Sequence, residues 1–88
     1  MMLFRVSVHI VPRLGLLDPQ GKAVTDALRT LGFASVSDVH VGRHLIIETS
    51  ATDAEAAQSS VRTMCGRLLA NPVTEDFEIA ACTRVAAA

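Results

Sequence analysis

Leu17-Asp18-Pro19-Gln20-Gly21-Lys22-Ala23-Val24, continued to Gly32, reads as a helix whose two ends are both written in local chemistry. The Asp18 carboxylate can accept the first free N–H groups, and Pro19 takes the first helical position, where no donor is missed. Gly32 follows the last periodic residue as a left-handed C-terminal cap. Val24, Ala27, Leu28 and Leu31 fall on one face, and Lys22, Asp26 and Arg29 on the other. This pattern predicts a helix lying on a sheet with its charged side in water.

Working outward, residues 3–11 alternate, with Phe4, Val6, Val8 and Ile10 on one side and Arg5, Ser7 and His9 on the other, as in a half-covered strand. Pro12 ends the ladder. Arg13-Leu14-Gly15-Leu16 then leads into the helix as a short loop with two leucines expected to be exposed. Beyond Gly32, residues 36–41 and 45–49 are strand-like runs joined at Gly42-Arg43, a hairpin signal. Val39 and Val41 would share the helix-facing side with Leu45 and Ile47. Thr52 with Glu55 forms a capping box for a second helix to about Leu69, with Ala57, Val61, Met64, Cys65 and Leu68 at helical spacing. Asn71-Pro72 stops it, and Phe77, Ile79 and Ala81 alternate with Glu78 and Ala80 in a last strand. No tether is evident in the tail, residues 82–88, whose alanine-rich end is expected to fray.

The order is strand, helix, strand, strand, helix, strand. The expected fold is therefore α+β and ferredoxin-like, βαββαβ, with a four-stranded antiparallel sheet and two helices on one face. The reverse face, with Arg5, His9, His40, His44, Ile46 and Glu48, is expected to be the oligomer interface. With 88 residues the chain should be one domain spanning 1–88, marginal alone and helped by association. Half of it is apolar, but only three residues are aromatic, all Phe, so the core must be built from Val, Ile, Leu and Ala.

A formal net charge of −1 gives no electrostatic reason to expect nucleic acid or a membrane as partner. The apolar N-terminus is interrupted by Arg5 and His9 and lacks a signal-peptide cleavage site. No run approaches the roughly 18 apolar residues of a membrane helix. Cys65 and Cys82 lack CxxC spacing, and a reduced, cytoplasmic setting is the simplest. His9, His40 and His44 have no metal-ligand spacing, so no metal is expected; Cys65 on the apolar stripe reads as core. No Ser/His/Asp set, paired carboxylates or Gly-rich phosphate loop is present, and no catalytic residue is expected. An RNA-binding sheet would need aromatics on its central strands, where Ser7, His9, Ile46 and Glu48 stand. An acylphosphatase-like site would need a positioned strand asparagine, but Asn71 belongs to a helix end.

The opening stretch, together with Val36-Ser37-Asp38-Val39, Val41-Gly42-Arg43, Met64-Cys65, Leu68-Leu69-Ala70-Asn71-Pro72-Val73 and Glu75-Asp76-Phe77, closely resembles the PurS family. That family is the small subunit of bacterial phosphoribosylformylglycinamidine synthase, and the likeness spans roughly residues 4–79. It implies a non-catalytic subunit of a glutamine-hydrolysing, ATP-dependent ligase complex in purine biosynthesis. Such a subunit would form dimers or tetramers, bridge the glutaminase and large synthetase subunits, and aid ammonia transfer. No cofactor would sit on this chain; ATP and Mg would belong to the synthetase subunit. Arg13, Asp18, Pro19, Gln20, Gly21 and Lys22 are the expected partner-binding residues. Ile46 and His44 depart from the family, where an acidic residue and a tyrosine are common. The alternative reading is an ACT-like amino-acid-binding module with the same element order, for which Gly15 leaves room but the run from Asp18 to Lys22 has no role.

Overall fold

Alternating apolar residues give the chain its central strand, and everything else is arranged around it. The computed structural model describes residues 1–13 and 18–85. It contains β1 (Met2–Pro12), α1 (Pro19–Thr30), β2 (Arg43–Ala51), α2 (Ala54–Met64), a π-helical turn (Cys65–Leu69) and β3 (Glu75–Arg84). The expected loop leucines and Gly15 lie outside the described residues, as do residues 86–88.

The sheet has three antiparallel strands in the order β2-β1-β3, not four. This is the ferredoxin-like order without its outer strand, which corrects the expected architecture. Residues 36–41 form no strand because α1 claims their backbone groups. Arg29 donates to the carbonyls of Val36 (3.0 Å) and Ser37 (2.9 Å), and the Asp18 carboxylate accepts from the N–H of Val41 (2.9 Å). Backbone polar groups need partners, and here side chains supply them in place of a neighbouring strand. The hairpin expected at Gly42-Arg43 is therefore absent.

A second correction concerns α1, which makes almost no contact with the sheet or with α2. Its caps are as expected. The Asp18 carboxylate accepts from Gly21 N–H at 3.0 Å. At the other end, Gly32 (φ 102°) and Phe33 donate to the carbonyls of Arg29 and Leu28, as in a Schellman motif. The stripe, however, is largely uncovered: Val24 is 40% exposed and Leu31 74%, with Leu28 half-buried, and Phe33 beyond the cap is 56% exposed. One helix, α2, covers the sheet, on the face carrying Phe4, Val6, Val8 and Ile10, which are buried with Ala57, Val61 and Cys65.

Local irregularities reset three more expectations. Asp53, not Thr52, caps α2, accepting from Ala56 N–H at 2.7 Å. The π turn closes with Ala70 N–H on the Cys65 carbonyl at 3.1 Å, and the extra residue swings Leu68 out to 82% exposure while Leu69 packs on the core. In β3 a register shift leaves Ala81 opposite Ser7 and Cys82 opposite Val6, so Cys82 packs on the core and Ala81 does not. The tail is tethered further than expected: β3 runs to Arg84, and Val85 N–H reaches the Leu3 carbonyl at 2.8 Å.

Candidate partner-binding surfaces

The helix start expected to meet a partner sits where α1 leaves the end of the sheet. Asp18 is held between two elements, one oxygen on Gly21 N–H and the other on Val41 N–H. Those backbone donors, Gly21 first, hold its carboxyl below the usual carboxylate range, with the His40 ring 3.9 Å away adding to the effect. Gly21 is buried, and a Cβ there would run into the Val39 carbonyl. Asp18 and Gly21 are thus used by the fold, fastening residues 36–41 to α1. Pro19 and Gln20 are exposed, and with Pro12, Asp18, Val41, Thr74 and Glu75 they line a cleft of about 270 Å³. Lys22, one turn on, pairs loosely with Asp26 at 3.4 Å and faces solvent.

Arg13 donates from its main chain to Thr74 (2.9 Å) and from its guanidinium to Asp76 (3.1 Å). Beside it lies a cluster that the sequence reading did not single out. Arg43 donates to Glu75 (2.8 Å) and to the Leu69 carbonyl (3.0 Å), and Glu75 also accepts from Asn71 N–H at 2.8 Å. The Asn71 N–H, followed by the Arg43 guanidinium, lowers the carboxyl of Glu75 below its ordinary value. The cluster ties the π turn to the starts of β2 and β3. Its sequence signal was Arg43 and Glu75 flanking two strands, which only the register brings together.

The second expected surface is partly assembled. Arg5, His9, His44, Ile46 and Glu48 do share the open sheet face, but His40 does not belong with them. It sits beside α1, 3.5 Å from Asp38 and 3.9 Å from Asp18, because its segment never joins the sheet. On the open face Arg5 pairs with Glu48 across strands at 3.3 Å. The His9 and His44 rings, on facing residues, have centroids 4.7 Å apart, and His9 lies 3.6 Å from Glu78. Ile46 is 58% exposed on this face. Among the described residues no group of three or more His, Cys, Asp or Glu is placed to hold a metal ion, and no helix is long and apolar enough to cross a membrane.

A half-covered sheet, a helix standing away from it, and charged side chains engaged with one another define a class: a small α+β subunit that acts through its surfaces. The family model for PurS, phosphoribosylformylglycinamidine (FGAM) synthase, matches residues 5–82, and the chain belongs to the PurS family. It is a subunit of that synthase, in purine biosynthesis. The PurS subunit of Synechocystis is 38% identical over 89% of this chain and 80% of its own length; that of Bacillus subtilis is 39% identical over 85% and 88%. Thermus thermophilus PurS superimposes with a TM-score of 0.82 at 36% identity, over 96% of this chain and 99% of its own. A chain of the Thermotoga maritima PurLQS structure does so with a TM-score of 0.80 at 28% identity, over 97% and 100%. Membership in this family sets aside the ACT-like reading.

Proposed function

We propose that the chain bridges the glutaminase and synthetase subunits of the complex as a homo-oligomer and helps ammonia pass between their sites. The observation that carries this reading is the likeness to a chain within the PurLQS structure over 97% of this chain, joined to a protomer that leaves large apolar residues such as Leu31 and Ile46 exposed. Ammonia released into water is diluted and protonated. Transfer between two active sites therefore needs them docked with a sheltered path, and a bridge that does no chemistry can supply this. Glutamine hydrolysis and ATP with magnesium then belong to the other two subunits, in the cytoplasm.

Arg13, Gln20 and Lys22, with the cleft that Gln20 lines, form the surface offered to those subunits. The open sheet face of Arg5, His9, His44, Ile46 and Glu48 is offered for self-association. In a reconstituted synthase, leaving this subunit out should abolish product formation from glutamine while sparing formation from ammonium salt. Equal rates from glutamine with and without it would overturn the bridging role. Lys22→Glu should keep the fold and the oligomer yet weaken binding to the partner subunits about tenfold, the effect of losing one favourable charge contact and gaining a repulsive one. Titration calorimetry against each partner measures it.

A further inference from the structure

Resting on the bridging role proposed above, we infer that the π turn is a docking knob: Leu68, with Val73 and Arg67, enters an apolar pocket rimmed by carboxylates on a partner subunit of the synthase.

A lone exposed leucine is ordinary, but this one is turned out of the core. Continued as an α-helix, α2 would carry Leu68 onto the line of Val61 and Cys65 and bury it. The π turn (Cys65–Leu69) aims it outward at 82% exposure instead, and the burial of a large aliphatic side chain is given up. Single π turns within helices are frequent at functional positions. The backbone around this one is pinned at four points. Ala70 N–H donates to the Cys65 carbonyl (3.1 Å), Arg43 to the Leu69 carbonyl (3.0 Å), Asn71 N–H to the Glu75 carboxylate (2.8 Å) and Val73 N–H to the Asn71 side chain (2.9 Å). Leu68 and Val73, the latter 73% exposed, are thus held out on a fixed frame, so a contact they make costs little backbone ordering.

The occupant follows from charge and from position. Arg62 and Arg67 are exposed and, among the described residues, neither is in an ion pair, whereas Arg5, Arg13 and Arg43 each face a carboxylate. Positive charge near a helix C-terminus has a local use, but that accounts for neither the leucine nor its exposure. An apolar side chain accompanied by unpaired guanidinium groups fits an apolar pocket with an acidic rim. Position agrees: a cleft of about 190 Å³, whose lining includes Gly66, Ala70, Pro72 and Arg13, joins the π turn to the surface already offered to the other subunits.

The test uses the whole chain and the reconstituted synthase, with Leu68→Ala and Arg67→Glu made separately. Both positions are exposed, so helical circular dichroism and sedimentation of the free subunit should match those of the parent chain. The subunit is then titrated into fixed amounts of the other two while the glutamine-dependent rate is followed. Each variant should raise the half-saturating concentration about tenfold and keep the maximal rate, as the loss of a buried anchor or the reversal of a paired charge would. Either variant saturating at the parent's concentration overturns the docking knob and leaves the bridge standing. A parent chain that adds nothing to the glutamine-dependent rate overturns both. Variants that change the mass of the free subunit also overturn the proposal, since the turn would then meet a second copy instead of a partner.

Discussion

Gly21 is the most tightly enclosed of the described glycines. It is buried in the first turn of α1, with the Val39 carbonyl where a side chain would begin. Gly21→Ala must push residues 36–41 off the helix, at the upper end of the about 1–3 kcal/mol that overpacking costs; urea denaturation would show it as a lower midpoint. Asp18, on the other side of that contact, makes the junction sensitive to acid. Its carboxyl is lowered in the fold, so its stabilisation is complete above the unfolded carboxylate range near pH 4 and is lost as pH falls through the lower folded value. Glu75 adds to the loss in the same direction. Thermal melts between pH 3 and 7 should fall on the acid side, and Asp18→Asn should flatten that fall while keeping a helix cap. The Asp18-Pro19 start and the Gly32 stop were legible because caps act within a turn. The second bond of Asp18 spans 23 residues, and nothing local announces it.

Elements were legible where one period held and were misread where an extra residue broke it. The four inward residues of β1 are the clearest instance, and Ala57, Val61 and Cys65 of α2 follow. The helical spacing was then carried one residue too far, to Leu68, because a π turn inserts its extra residue with no composition of its own. This reverses the cost of two neighbouring substitutions. Leu69→Ala should destabilise by about 2 kcal/mol, the lower end for a covered leucine. Leu68→Ala should stay within about 0.5 kcal/mol, as exposed positions do. Equal midpoints in chemical denaturation would contradict the turn. The run 36–41 was misread for a different reason. Alternation of Val39 and Val41 announces a surface that wants covering, but not which element covers it.

At the scale of the molecule the radius of gyration is 16.7 Å, against about 12 Å for a compact chain of this length, and the longest axis is 51 Å. The fully enclosed part is small: Val6, Val8, Ile10, Ala57, Val61 and Cys65, all aliphatic or thiol. Burial of that size stands barely ahead of the conformational entropy it must offset, so with a helix held away from the core any contact that covers the exposed surface adds a large share of the stability. Composition already pointed this way, since a short chain with three aromatic residues has little to bury; it could not say that the uncovered surface would lie on α1. The deficit has a measurable form. Where folding is coupled to association, the melting temperature rises with protein concentration, because mass action favours the state that binds. Scanning calorimetry over a hundredfold range of concentration should show that rise in the parent chain. It should be lost when Leu31 and Phe33 are both changed to Glu, with the melt falling to a lower, concentration-independent temperature. A parent melt that does not move with concentration would mean that the small core suffices, and that the exposed residues at the end of α1 contribute nothing to the stability of the free subunit.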